Sequence, residues 1–444
     1  MKLLLRLIGT AALLIATMQT LRIGYSDYLF RKDTQASVER AVRIWPRDGN
    51  YHARLADFDS TNAILHLRRA VALNPGLSRS WIQLGLLVEL LGGVEEAERC
   101  YLEAARRDHQ FLPAWTLANF YARRNDAERF WPWARRAAGM SYSDLRPLFR
   151  LAFEFTTSPE KVRERMLPPL RPVEHEFLRY LLSERLDGAT MGARLLGKAS
   201  REDVPVLFEW MDRLLEGRRV SEARKIWDAL SDKRLIPYAH AGLLTNADFS
   251  HEPLGAGFDW RISAPPGVNC TRVAGGGLQV QFSGRQPETF ELASQQLDLA
   301  PQSSYVLSLE YRTVDLGGST NLRWRLGDTV SSPLGPAEKW TRWTWTFRPG
   351  TINRLTLMDR RDPGTIRPEG VVYMRGLALT QLMAKQYSKP APPVLIKLSW
   401  LQPRLGWVEF HDVFPPPVRS KWPSWAVPAP SLLQLLQVWS APSV

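Results

Sequence analysis

Cysteine is nearly absent from this chain of 444 residues: Cys100 and Cys270 are the whole supply. Two thiols so far apart make neither a disulfide framework nor a metal site with the close ligand spacing that zinc or iron–sulfur centres need. The seven histidines are scattered, and no H-E-x-x-H, G-x-S-x-G, phosphate-binding loop or dinucleotide fingerprint is present. No catalytic residue, metal or cofactor is therefore expected. Acidic residues are the second shortage, 45 against 58 Lys and Arg, which leaves a net charge of +13. That balance favours an acidic partner (nucleic acid, anionic lipid or an acidic polysaccharide) unless it reflects only a solvated Arg-rich helical surface.

Long apolar runs are also missing, with one exception. MKLLLR is a short basic start, and LIGTAALLIATMQTL behind it is uncharged and apolar. This is the pattern of a secretory signal or of a short membrane anchor. No clear small-x-small cleavage site follows; the next residues are Arg22, Ile23, Gly24 and Tyr25, which favours an uncleaved anchor over a cleaved signal. Lys2 and Arg6 would hold the N-terminus in the cytoplasm, against a weaker opposing pull from Arg22, Arg31 and Lys32. Everything after residue 30 would then be exported, anchored in the inner membrane or released to the periplasm. Export excludes nucleic acid as a partner.

What the chain has in quantity, up to about residue 240, is helix-period sequence with internal repeats. In SWIQLGLLVELLGGVEEAERCYLEAARRDH, Trp81 precedes Leu84 and Gly85, and Ala97, Tyr101 and Ala104 follow at fixed spacing. Ala70, Ala104 and Ala137 recur at intervals of about one helix pair, and Trp115 and Tyr121 open the next copy. Small Ala and Gly admit close helix approach, and the large residues fill the gaps. These residues resemble the tetratricopeptide repeat, firmly over 36–140 and loosely to 240. The resemblance implies a helical solenoid that holds a protein partner and has no catalytic residues of its own.

Beyond LLTNADFSHEPLGAGFDWRIS the pattern changes to period two. GLQVQFSG, SYVLSLEYRT, NLRWRL and RWTWTF each alternate apolar with polar residues, and RLTLMD and GVVYMRGLAL complete six to eight short strands of an antiparallel β-sandwich. Asn246, Asp248, Phe249 and Trp260 are expected in its first strand or as a lid. Tyr305, Tyr311, Trp324, Trp343 and Trp345 run in phase with Leu and Val and belong to the core. Out of phase stand Gln279, Gln281, Glu310, Arg312, Arg323 and Arg325, a polar, cationic face suited to a hydroxyl-rich, anionic ligand if it binds one. The order of strands, with N-x-D-F at the start and W-T-W-T-F within, resembles a jelly-roll carbohydrate-binding module over 243–382. That likeness implies a polysaccharide ligand.

Together these readings predict a multidomain chain. Residues 1–30 are a signal or anchor, 31–142 tetratricopeptide repeats, 143–240 degenerate helical repeats and 241–384 a jelly-roll sandwich. Residues 385–444, with eleven of the 32 prolines and five tryptophans, form an irregular tail. The expected role is a non-catalytic exported adaptor of bacterial exopolysaccharide or envelope assembly. The alternative is a glycan-active hydrolase or its binding subunit, with Glu288, Glu291 and Asp259 as the acids to pair.

Overall fold

The structure, a computed structural model, describes residues 2–140, 144–238, 242–317, 321–351 and 353–382. The Pro- and Trp-rich tail lies outside the described residues. A helical solenoid comes first and an antiparallel β-sandwich follows. The helices are α1 Lys2–Phe30, α2 Gln35–Ile44, α3 Gly49–Phe58, α4 Ala63–Leu73, α5 Ser78–Leu90, α6 Val94–Arg107 and α7 Phe111–Arg123. They continue as α8 Ala127–Met140, α9 Arg146–Phe155, α10 Pro159–Met166, α11 Arg171–Ser183, α12 Ala189–Gly197, α13 Val204–Glu216 and α14 Val220–Asp232.

α3 packs with α4, α5 with α6, α7 with α8 and α13 with α14, while between these α10 packs mainly on α8 and α11 on α13. The repeat residues explain the pairing. Ala97, Tyr101 and Ala104 on α6 are fully buried, as is Leu84 on α5, and Trp81 and Trp115 are half-buried against the same core. A Cβ on Gly85 would lie 2.5 Å from the Tyr101 ring, so only glycine lets α5 and α6 approach this closely. Gly192 repeats the device between α12 and α13, where a Cβ would meet Trp210 at 2.5 Å. Pro168 and Pro169 separate α10 from α11, and Pro172 sits in the first turn of α11, without ending the array: Met166, Leu167, Val173 and Phe177 share one core. Each Leu- or Phe-sized side chain so buried contributes roughly 1.5–3 kcal/mol.

Several arginines of the array are answered by acids of the array itself. Arg68 reaches Glu96 at 2.8 Å, Arg123 and Arg124 share Glu89, and Arg106 and Arg107 share Glu103. Much of the positive charge of the array is thus answered from within.

The strands are β1 Arg261–Ile262, β2 Val268–Arg272, β3 Leu278–Ser283, β4 Thr289–Gln296, β5 Ser304–Gly317, β6 Arg323–Leu326, β7 Thr329–Val330, β8 Thr341–Phe347, β9 Arg354–Arg360 and β10 Glu369–Leu382. They form two five-stranded sheets, ordered β1-β4-β9-β6-β7 and β2-β3-β10-β5-β8. All pairs are antiparallel. Period-two alternation turns Leu278, Val280, Phe282, Tyr305, Leu307, Leu309 and Tyr311 of one sheet toward Leu292, Trp324, Leu326, Leu355 and Leu357 of the other. Trp343 and Trp345 point the same way from the edge strand β8 and are half-buried.

The stretch expected to open the sandwich as a strand does not do so. Residues 243–260 form turns, with Asn246 (φ 49°) and Phe249 (φ 55°) in the left-handed region. Asn246 holds the turn by bonding both the carbonyl and the N–H of His251. Phe249 is held there by stacking on the buried Trp260 at 5.1 Å. Two residues before Trp260, Phe258 belongs to the helical core and packs edge-on to Trp227. One short segment therefore inserts a ring into each core, and Asp212 of α13 pairs with Arg261 at 2.6 Å and accepts the Gly257 N–H at 2.8 Å. The helical half and the sandwich are joined by packing.

Candidate functional site

The polar positions of the strands fall into two groups. Gln279 and Gln281 on β3 and Glu310 and Arg312 on β5 share the outward face of the β2-β3-β10-β5-β8 sheet. Arg323 and Arg325 alternate outward in the same manner, but β6 pairs with β9 in the other sheet, at Arg323↔Met358 and Arg325↔Thr356. They face the opposite side of the sandwich. There Arg325 and Arg354 both grip Glu291, and Arg323 bonds the Asn321 carbonyl at 3.2 Å. The six residues do not make one face.

On the first face, β10 runs between β3 and β5 and supplies residues that periodicity in the flanking strands does not reveal. Tyr373 sits opposite both Gln279 and Arg312, and Arg375 opposite Glu310. The next strand adds Arg342 opposite Glu310. Just before β8, Trp340 lies across this surface, 37% exposed. The Arg375 guanidinium stands 3.9 Å from the Trp340 ring centre, and the Arg312 guanidinium lies 4.8 Å from Tyr373 and 5.3 Å from Trp340. Glu310 accepts from Arg375 at 2.9–3.0 Å and so fixes that guanidinium over the ring. Three arginines against one carboxylate leave the patch cationic.

This set has the parts that recognition of a sugar chain uses. Aromatic planes take the apolar face of a pyranose ring, and carboxamide, carboxylate and guanidinium groups pair with vicinal hydroxyls. Arg312 carries a buried Nε with no acceptor among the described residues. A buried donor without a partner costs free energy until an acceptor is supplied. A carboxylate or sulfate pairs with a guanidinium through charge-assisted bonds.

Tyr373, Arg375 and Trp340 are the members that strand-by-strand reading of the sequence passed over. In GVVYMRGLAL the signal is present, since Tyr373 and Arg375 alternate against the buried Val372 and Met374. Trp340 lies outside any alternating run, and only the chain turn into β8 brings it over Arg375.

The three acids considered for hydrolysis are each engaged. Glu288 pairs with Arg361 at 2.5 Å, and Glu291 with Arg325 and Arg354. Asp259 is fully buried at the seam, where it accepts from Tyr238 Oη at 2.6 Å and from the N–H groups of Leu254 and Trp260 at 2.7 Å. Burial raises its pKa. The two thiols are pushed up by burial as well, Cys100 to about 11 and Cys270 to about 12, so neither is a thiolate at neutral pH.

The helical half carries a groove of about 830 Å³ between the end of α8, the start of α9 and α11. Leu145, Leu170, Val173 and Tyr180 give it an apolar floor, with Arg146 and Glu176 among its polar lining.

No protein family and no curated protein matches this chain. Solved structures similar to parts of it are of two kinds. YrrB, a tetratricopeptide repeat protein with an unusual peptide-binding site, is 13% identical, with 45% of this chain and 93% of that one covered and a TM-score of 0.24. PilF of Pseudomonas aeruginosa is 17% identical over 50% of this chain and 90% of that one, with a TM-score of 0.23. A family 16 carbohydrate-binding module is 16% identical over 31% of this chain and 99% of that one, also with a TM-score of 0.23. The helical half is thus similar to tetratricopeptide repeat proteins and the sheet half to carbohydrate-binding modules, at low scores, and the architecture rests on the helix pairs and sheets themselves.

Proposed function

We propose that this chain is a membrane-tethered, non-catalytic adaptor that joins a protein partner to an anionic polysaccharide during exopolysaccharide or envelope assembly. The observation that carries the reading is the Arg312–Tyr373–Trp340–Arg375 cluster. It presents stacked cations and an aromatic plane on one outward sheet face, with Gln279, Gln281 and Glu310 beside it. Arg323 and Arg325 have no part in this face. The repeats serve the protein partner, and the groove beside α11 offers it an apolar floor with charged walls. The packed seam supports bridging, because Phe258 in the helical core and the Asp212–Arg261 pair tie the sheet half to the helical array.

The apolar α1 supports the tether and an exported, inner-membrane-anchored location. The test is affinity electrophoresis of the full chain in gels containing an anionic or a neutral polysaccharide. Retardation by the anionic polymer that is lost in Arg312→Ala and in Trp340→Ala is expected. Equal mobility of both variants and the parent overturns the assignment of the face. Hydrolysis abolished by Glu288→Gln or Glu291→Gln would overturn the non-catalytic reading.

A further inference from the structure

The helix that starts in the apolar segment does not end there. α1 runs unbroken from Lys2 to Phe30, and its last two turns belong to the repeat array. Ser26 and Leu29 are buried, Leu29 against Ala41 and Tyr51, and the Phe30 ring packs tilted against Tyr51 at 4.8 Å. Ser26 Oγ lies 3.3 Å from Tyr51 Oη, and Arg22 donates to the carbonyl of Ile44 at 3.1 Å. Ahead of Arg22 the side chains of Leu7, Ile8, Leu13, Leu14, Ile15, Met18 and Leu21 are all well exposed, which water does not favour and hydrocarbon does.

The lengths agree. Leu3 to Leu21 spans about 28 Å at 1.5 Å per residue, close to the thickness of a bilayer core, with Arg6 near enough to one end to snorkel. From Leu21 to Ser26 is only about 8 Å further. The array therefore begins inside the headgroup layer. Arg22 touching Ile44 shows which end of the array lies there: the end of α2 and the start of α3. That end carries Arg43, Trp45 and Arg47. Arg43 meets Glu39 only at 4.0 Å, and no ion pair forms at Arg47 among the described residues. Asp48 beside them is occupied as the N-cap of α3, accepting the Asn50 N–H at 2.8 Å. Basic residues with an indole at this depth match an anionic lipid surface.

We infer that α1 is a permanent anchor that doubles as the first helix of the array, and that Arg22, Arg43, Trp45 and Arg47 seat the foot of the array on anionic headgroups. Removal as a signal would have to cut within this continuous helix, and the small-x-small pair there, Gly24 and Ser26, is not open to it, since Ser26 is buried against Tyr51. This rests on the tethered part of the function proposed above and is independent of its glycan part; loss of glycan retention would leave it untouched.

The full chain is extracted from membranes of a bacterial expression host and its intact mass measured. A mass that includes residues 7–21 is expected, and an N-terminus within 19–30 overturns the anchor. The chain is then placed in vesicles of three parts phosphatidylcholine to one part phosphatidylglycerol, with a trace of nickel-chelating lipid. Nitroxide labels are placed at Arg47→Cys or Ser60→Cys, with Cys100→Ala and Cys270→Ala removing the native thiols. Relaxation by headgroup nickel several-fold stronger at 47 than at 60 is expected, since Ser60 lies past the far end of α3. Equal relaxation, or a stronger effect at 60, overturns the seating. Arg22→Gln with Arg43→Gln should weaken the effect at 47, and no change with that pair removes the basic residues from the account.

Discussion

Asp359 offers a perturbation whose size can be worked out in advance. It stands on β9 in phase with Leu355 and Leu357, is only 3% exposed, and has one oxygen without a partner among the described residues. Burial pushes its carboxyl up to about 6 from an ordinary 3.8, against the pull of the Asn321 N–H and of Arg323. At about 1.4 kcal/mol for each tenfold change in proton affinity, ionising this group inside the fold costs about 3 kcal/mol. Below pH 3.8 both folded and unfolded chains hold the proton and the cost is nil. Between 3.8 and 6 the unfolded chain loses it first, so the fold is progressively disfavoured. Above 6 the whole cost applies. Asp359→Asn is neutral at every pH and nearly the same shape, so it should stabilise the sandwich at pH 7.5 by about 2–3 kcal/mol and by almost nothing at pH 4. Urea unfolding of the full chain at pH 4, 5, 6 and 7.5, followed through the sheet signal in circular dichroism, measures this. A destabilised variant at pH 7.5, or a gain independent of pH, would refute the reasoning.

Gly85→Ala should cost roughly 1–3 kcal/mol in thermal unfolding of the helical signal, because the new methyl meets a Tyr101 ring held in place by its bond to Glu89 at 2.8 Å. Asp203 is fully buried; burial alone would raise its carboxyl, but bonds from Arg171, His175 and Ser200 hold it down at about 2. Asp203→Ala should therefore cost roughly 3 kcal/mol at pH 7, and the parent chain should lose this contribution as pH falls from about 4 through 2. Arg325→Ala should leave glycan retention unchanged while weakening the sheet that Glu291 ties together, a contrast with Arg312→Ala that a single pair of gels reads.

How far the sequence reaches depends on the kind of periodicity. The repeat residues Gly85, Ala97, Tyr101 and Ala104 were legible because each interacts within one helix pair, so spacing along the chain is spacing in space. Alternation likewise assigned Leu278, Tyr305 and Trp324 to the core and Gln279 and Arg312 to the outside. It could not divide Arg312 from Arg325, because alternation fixes inward and outward while the sheet to which a strand belongs is set by pairings over long sequence distances. Tyr373 joined the face by the same long-range pairing, and Trp340 by the chain turn into β8. At the seam, Asn246 and Phe249 resembled the start of a strand, yet left-handed turns were chosen there, where Phe258 and Trp260 must enter two different cores within three residues.

The central claim is that one outward sheet face, built on Arg312, Trp340, Tyr373 and Arg375, binds an anionic polysaccharide. Its most direct measurement is the electrophoretic retardation of the full chain by a uronic-acid polymer against its neutral counterpart, for the parent and for Trp340→Ala. The account predicts retardation by the acidic polymer alone, reduced at least tenfold in apparent affinity by that substitution, about 1.4 kcal/mol. Equal retardation of parent and variant, or none with either polymer, would contradict it.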